Sequence, residues 1–286
     1  MTGEKVRRRK HLEQVSLGIG AMFGIYWVYL VVREHLPIST ELKTLIGLFC
    51  LYGIGLGVYC YMIRRIPGQK LTEGKLSGKA LTLCFLLQFS AIMILSVLTN
   101  LLTSLGILGR STTMNTTSLY SLFILLVFNP IVEELVFRKI MADKLLQYGE
   151  LFYMVASSFC FAIVHGVSLG VPQIVYTFIL GMIWSYVMVK TGDIRLTIVL
   201  HALSNLFGGV ILQFLLGIYM PAAGMYSILL MVLGAVGLSL FIKNKKKLTI
   251  DGENTLIRME ILRVIFSNKG ILLYSGVTIL FMLIVS

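Results

Sequence analysis

Charge is scarce in this sequence. Only 13% of its 286 residues are Asp, Glu, Lys or Arg, against 57% hydrophobic, where a soluble domain carries about a quarter charged residues. That balance excludes an ordinary soluble domain and places the chain in the membrane class before any motif is read. Cysteine is sparse as well. Cys50, Cys60, Cys84 and Cys160 all fall inside apolar runs, none in a CxxC pair, so they read as buried free thiols. The metalloprotease HExxH box is missing. So are an internal repeat, a low-complexity linker and a C-terminal lipidation box. No small-x-small cleavage site follows the first apolar run, which we therefore read as a membrane anchor and not a cleaved signal. Nothing in the sequence divides the chain, and residues 1–286 are expected to form a single integral membrane domain.

What is present in quantity is apolar residues in long runs, and a run of about 20 spans a bilayer. Nine qualify: Val15 to Val32, Thr44 to Ile63, Ala80 to Leu102, Leu119 to Val136, Leu151 to Leu169, Ile174 to Val189, Thr197 to Leu216, Ser227 to Ile242 and Gly270 to Val285. The sixth and ninth are short, and a basic, half-amphipathic stretch precedes the ninth. The fold expected is an all-α polytopic bundle of about eight to nine transmembrane helices. The net charge of +12 could suggest a nucleic-acid partner, but its distribution argues against one. With a cytoplasmic N-terminus, 22 of the 25 Lys and Arg fall on the cytoplasmic side, all but Arg33, Lys43 and Arg110. This positive-inside bias fixes the expected orientation. The basic runs Arg7 to Lys10 and Lys243 to Lys247 then need no partner beyond anionic lipid. Gly20/Gly24 and Gly53/Gly57 have GxxxG spacing, which allows close helix packing and, as a weaker reading, a homodimer seam.

Four ionisable residues sit where lipid should forbid them. Glu133 and Glu134 lie near the cytoplasmic end of the fourth span, and His165 and His201 lie within later spans. Such groups cost several kcal/mol in hydrocarbon and usually face the bundle interior. Glu134 and Arg138 are four apart on one helix face and can pair. Glu133 points about 100° away from that pair. Asn129-Pro130 just before them removes a helix hydrogen bond and can kink or widen the helix. Tyr148-Gly149 marks a turn. Glu133 precedes Gly149 by 16 residues and His165 follows it by 16, so an antiparallel hairpin sets the two at equal depth. The next turn falls at Thr191-Gly192, and His201 lies nine residues past it, roughly 13 Å in. Asn205 shares the face of His201, and Phe161 shares the face of His165.

A buried carboxylate in a low-dielectric site is suited to general acid and base work near neutral pH. Glu133 with His165 could activate a water, while His201 and Asn205 donate hydrogen bonds to a tetrahedral oxyanion. Alternatively, Glu133, His165 and His201 form a carboxylate–imidazole set of the kind zinc accepts.

These residues form three motifs: EExxxR at Glu133, Glu134 and Arg138, FxxxH at Phe161 and His165, and HxxxN at His201 and Asn205. In this order on successive helices they resemble the CPBP family, also called type II CAAX prenyl endopeptidases or Abi proteins. The resemblance covers a core of residues 119–207. It implies an intramembrane endopeptidase acting on a membrane-associated peptide or prenylated protein. Glu133 and His165 would activate water, His201 and Asn205 would hold the oxyanion, and Glu134 and Arg138 would support the site as an ion pair. Members have been described both as glutamate proteases and as metalloproteases, so the resemblance allows either no cofactor or one Zn. Lys139 stands where a glycine often follows the arginine. The layout suits a bacterial plasma-membrane protein, in which a prenylated substrate is doubtful. Two other readings stand beside this one. One is a non-catalytic regulator or bacteriocin-immunity module whose cavity holds a partner's transmembrane helix. The other is a proton-coupled transporter, which the lack of paired half-repeats disfavours.

Overall fold

The computed structural model describes residues 3–107, 118–250 and 255–285. Among these every regular element is a helix, with no strand. Its helices are α1 (Gly3–Arg33), α2 (Thr40–Ile63), α3 (Gly78–Ser104), α4 (Leu119–Tyr148), α5 (Glu150–Leu169), α6 (Val171–Thr191), α7 (Ile194–Ile218), α8 (Met220–Asn244), α9 (Thr255–Phe266) and α10 (Lys269–Val285). The first eight are each long and apolar enough to cross a membrane. Met259–Phe266 and Lys269–Ile284 pass the same test together but are bent by 56°, so the ninth apolar run is the second limb of a broken helix. Arg110, one of the three basic residues expected outside, lies beyond the described residues.

Several helices outrun the apolar segments that predict them. α1 begins at Gly3, well before Val15, because the polar residues Arg7 to Lys10 continue the hydrogen-bond ladder. Starts and stops follow local chemistry. Ser39, Ser77, Ser118 and Asp193 cap α2, α3, α4 and α7, each side chain accepting a backbone N–H of the first turn, which satisfies one of the donors a helix start leaves orphaned. Both expected hairpin tips are present. Gly149 has φ +107° and Gly192 φ +66°, values a residue with a Cβ rarely adopts.

The chain packs as two compact units. One comprises Met1–Lys70, Asp143–Ala156 and Gly252–Ser286. Within it α1 packs against α2 and α10. A Cβ on Gly18 would lie 2.6 Å from the Tyr59 ring, and one on Gly55 2.8 Å from the Met22 carbonyl, so these two glycines set the α1–α2 crossing. Gly20 of the first GxxxG pair packs against Tyr274 of α10, and Trp27 stacks on Phe281 at 5.0 Å.

The other unit comprises Leu71–Ala142 and Ser157–Asp251, and all seven expected site residues belong to it. Here α3 lies against α8 and α6. Gly234 and Gly237 face the Phe89 and Leu86 carbonyls, where a Cβ would sit 2.7 and 2.6 Å from oxygen. Ser90 Oγ donates to the Gly234 carbonyl at 2.7 Å. Lipid offers no hydrophobic drive between helices, so small residues and such polar contacts hold the pair. Gly181 of α6 meets Ser158 of α5 just as closely, with Cα at 2.9 Å from a built Cβ. One turn further along each helix stand Phe161 and Trp184.

Candidate active site

The helix that carries the glutamates is not a uniform α-helix. Within α4, Ile124–Phe128 and Leu135–Ile140 are π-helical, and Asn129–Glu134 between them is α-helical. This is the widening expected at Pro130. Single π turns inside helices often mark functional sites. In the first π segment the Asn129 N–H donates to the Ile124 carbonyl, five residues back. The next donor in that register would reach Leu125, but residue 130 is proline and has no N–H. Asn205 of α7 takes the position instead, its Nδ2 donating to the Leu125 carbonyl at 2.9 Å. The asparagine thus satisfies a carbonyl that the proline leaves without its helical donor.

Glu133 and Glu134 meet His201 at different nitrogens and otherwise have different neighbours. Glu134 is fully buried, with Oε2 3.2 Å from Arg138 Nε and Oε1 3.0 Å from His201 Nδ1. Arg138, also fully buried, donates from Nη1 to Ser157 Oγ at 3.2 Å, and its guanidinium lies 4.7 Å from the Phe161 ring centroid. The expected Glu134–Arg138 pair is therefore present. The expected reading missed that Glu134 also holds His201. Glu133 stands apart from that pair. Its Oε2 is 3.5 Å from His165 Nε2 and 3.8 Å from His201 Nε2, within ion-pair reach but loose for hydrogen bonds. Its side chain is 14% exposed and that of His165 27%, so both are less deeply buried than Glu134 and Arg138.

The two imidazoles are held by their far nitrogens. His165 Nδ1 lies 2.7 Å from the Phe161 carbonyl. A carbonyl only accepts, so Nδ1 carries the proton there. His201 Nδ1 faces the carboxylate of Glu134, which accepts in the same way when ionised against Arg138. Each ring in its neutral form therefore presents the lone pair of Nε2 towards Glu133. Two lone-pair donors and a carboxylate oxygen converge on one locus, an arrangement that favours a proton donor lying between them.

Residues 115–207 match the family model described as Type II CAAX prenyl endopeptidase Rce1-like. Over that stretch the chain is CAAX-endopeptidase-like. The resemblance drawn from the three motifs is borne out there, and all seven motif residues fall inside the matched segment. No curated protein and no solved structure gives a significant match. With eight helices of membrane-spanning length and composition among the described residues, the protein is an integral, multi-pass membrane protein carrying a segment like the CAAX endopeptidases.

Three residues that motif reading passes over also belong to this cluster. Ser157 ties Arg138 to the main chain, accepting from Nη1 and donating to the Phe137 carbonyl. Trp184 of α6 stacks on His201, with ring centroids 4.2 Å apart and planes at 20°. Gln88 of α3 accepts from the Trp184 indole N–H at 3.0 Å. A serine, a tryptophan and a glutamine in apolar helices carry no spacing signal. A buried glutamine in a span is the one hint a sequence offers.

The zinc alternative can be tested on the donor set. Tetrahedral zinc with bonds near 2.0–2.1 Å keeps its ligand atoms about 3.4 Å apart. Glu133 and His165 meet that spacing, and His201 is wider. Among the described residues, no three His, Cys, Asp or Glu side chains are arranged to hold a metal ion. The residues as placed do not fit a three-ligand site.

Proposed function

We propose that the protein is an intramembrane endopeptidase that hydrolyses a peptide bond in a membrane-associated peptide or protein. The observation that carries this reading is the convergence of His165 and His201 Nε2 on one Glu133 oxygen, at 3.5 and 3.8 Å, inside the segment matched by the endopeptidase family. The chemistry follows from the donors. A water between Glu133 and His165 gives its proton to the carboxylate as its oxygen bonds to the scissile carbonyl carbon. The protonated Glu133 then passes that proton to the amide nitrogen, and the C–N bond breaks. The carbonyl oxygen carries negative charge in between and needs donors. Asn205 has a second N–H beyond the one held by Leu125. His201 donates only when Nε2 carries a proton in addition to the Nδ1–H directed at Glu134. Glu134 and Arg138 serve as the fixed pair that aims His201.

The positive-inside bias supports a cytoplasmic N-terminus, with which the site would lie in the cytoplasmic half of the bilayer. A bacterial plasma membrane is the proposed setting. There the substrate would be a short membrane-associated peptide and not a prenylated protein.

The test is cleavage of a library of membrane-associated peptides by the purified, detergent-solubilised protein. Wild type is compared with Glu133→Gln and His165→Ala, with and without a chelator. Cleavage lost in both variants and retained in chelator is the expected result. Loss in chelator with recovery on adding zinc would make the enzyme metal-dependent. A folded wild-type protein that cleaves nothing would reject hydrolysis in favour of a module that binds a partner helix.

A further inference from the structure

The His201 ring is held at Nδ1 and on one face, with Nε2 directed towards Glu133 at 3.8 Å. Glu134 and Glu133 take the nitrogen edges, and Phe161 meets the ring edge-on at 87° with centroids 5.9 Å apart. Trp184 covers a face, nearly parallel and 4.2 Å away. The indole is itself tied: it is completely buried, and its Nε1–H donates to Gln88 Oε1. An indole nitrogen is a donor only, so it dictates which end of the Gln88 amide faces it. Gln88 is 1% exposed. Burying an amide inside a span is costly unless it is hydrogen-bonded, and packing alone would be met by leucine at that site. The partnership therefore has a purpose beyond filling space: it fixes the rotamer of the ring that lies on His201.

We propose that Trp184, locked by Gln88, is a positioning residue for His201, so that α3 and α6 set the aim of an imidazole carried by α7. This deepens the endopeptidase reading and rests on it. Without the stacked indole, the His201 ring can turn about its Nδ1 bond to Glu134, and Nε2 leaves the Glu133 locus. A catalytic group misplaced by about 1 Å can lose as much as 100-fold in rate.

The experiment has two arms. In the kinetic arm, Trp184→Phe keeps a ring but loses the N–H, and Gln88→Met keeps the shape but loses the acceptor. Each is expected to lower kcat about 3- to 10-fold with KM unchanged within about twofold. The double variant should be no worse than either single one, because both remove the same bond. Trp184→Ala should lose more, about 100-fold. Wild-type kcat in both Trp184→Phe and Gln88→Met would overturn the proposal, as would multiplicative losses in the double variant. The second arm needs no substrate. The chain has two tryptophans, so Trp27→Phe leaves Trp184 as the only indole emitter. His201→Gln removes the stacked imidazole and Gln88→Met removes the indole hydrogen bond. Both should change the intensity or wavelength of emission. Emission indifferent to both would overturn the proposal even if peptides are cleaved. If wild type cleaves nothing while emission responds to both, the endopeptidase reading fails and the placement of His201 by Trp184 stands.

Discussion

Adjacent glutamates held in such different ways should fail in different ways when changed. Glu134 serves two buried groups at once, Arg138 and His201. Glu134→Ala takes the carboxylate from a guanidinium with no exposed surface, and removing one member of a buried ion pair costs about 3–5 kcal/mol. That is a large share of the 5–15 kcal/mol that typically holds a domain together. Glu134→Gln keeps an acceptor for His201 but leaves Arg138 without its countercharge, and should fall between. Glu133 is different. It forms no tight hydrogen bond through Oε2 and is partly exposed, so Glu133→Gln should leave stability within about 1 kcal/mol of wild type. As the proposed base, Glu133 when changed to Gln should nonetheless lower kcat by about 10²–10⁴. The assay pairs thermal unfolding in detergent with peptide cleavage on the same preparations. The reasoning would be refuted if Glu133→Gln unfolded as readily as Glu134→Ala. It would equally fail if Glu134→Ala matched wild type in stability.

Three further outcomes follow from local geometry. Asn205→Ala orphans the Leu125 carbonyl and should destabilise by about 1–3 kcal/mol. In a Pro130→Ala background, residue 130 regains an N–H for that carbonyl, so the cost of Asn205→Ala should shrink, which a double-mutant cycle measures. Gly181→Ala gains about 1 kcal/mol of helix propensity but drives a methyl to 2.9 Å from Ser158 Cα. Backbone cannot rotate away, so overpacking of about 1–3 kcal/mol should win, with reduced unfolding temperature and reduced cleavage. Asp193 lies between α6 and α7, and hydrogen bonds from the Arg195 side chain and backbone hold its carboxyl below the ordinary value. A carboxyl lowered in the folded state contributes stability above its unfolded value and loses it as pH falls through the folded one. The Asp193→Ala difference, about 1 kcal/mol or less for an exposed cap, should therefore be present at pH 7 and vanish in acid, as read by unfolding scans across pH.

The spans were legible because long apolar runs have few other uses, and the hairpin tips because glycine at Gly149 and Gly192 permits a backbone that other residues resist. Equal spacing about Gly149 was enough to bring Glu133 and His165 to one depth. The contacts of His201 and Asn205 were less legible. Helical spacing tells which residues share a face but not which neighbour that face meets, so the bond from His201 to Glu134 and the one from Asn205 to Leu125 were hidden. The π turns were hidden too, since hydropathy does not register an extra residue in a turn. Trp184 and Gln88 lie outside every motif, and an aromatic residue in an apolar helix reads first as packing. Helix ends were not legible from the apolar runs where polar residues prolong a helix, as before Val15 in α1.

The two π segments of α4 also bear on how this chain should be aligned with others. Each turn of π-helix accommodates about one residue more than the α-helix it replaces, without lengthening the element by a full step. A relative that lacks one residue between positions 124 and 128 could therefore keep the same span length and the same Glu133 depth. In an ungapped alignment its residues before the deletion would be read one position off, an apparent offset of about 100° in helical phase. Aligned without a gap, such a sequence would match on the glutamates and drift out of phase before Pro130, and the mismatch would look like divergence when it is only a change of winding.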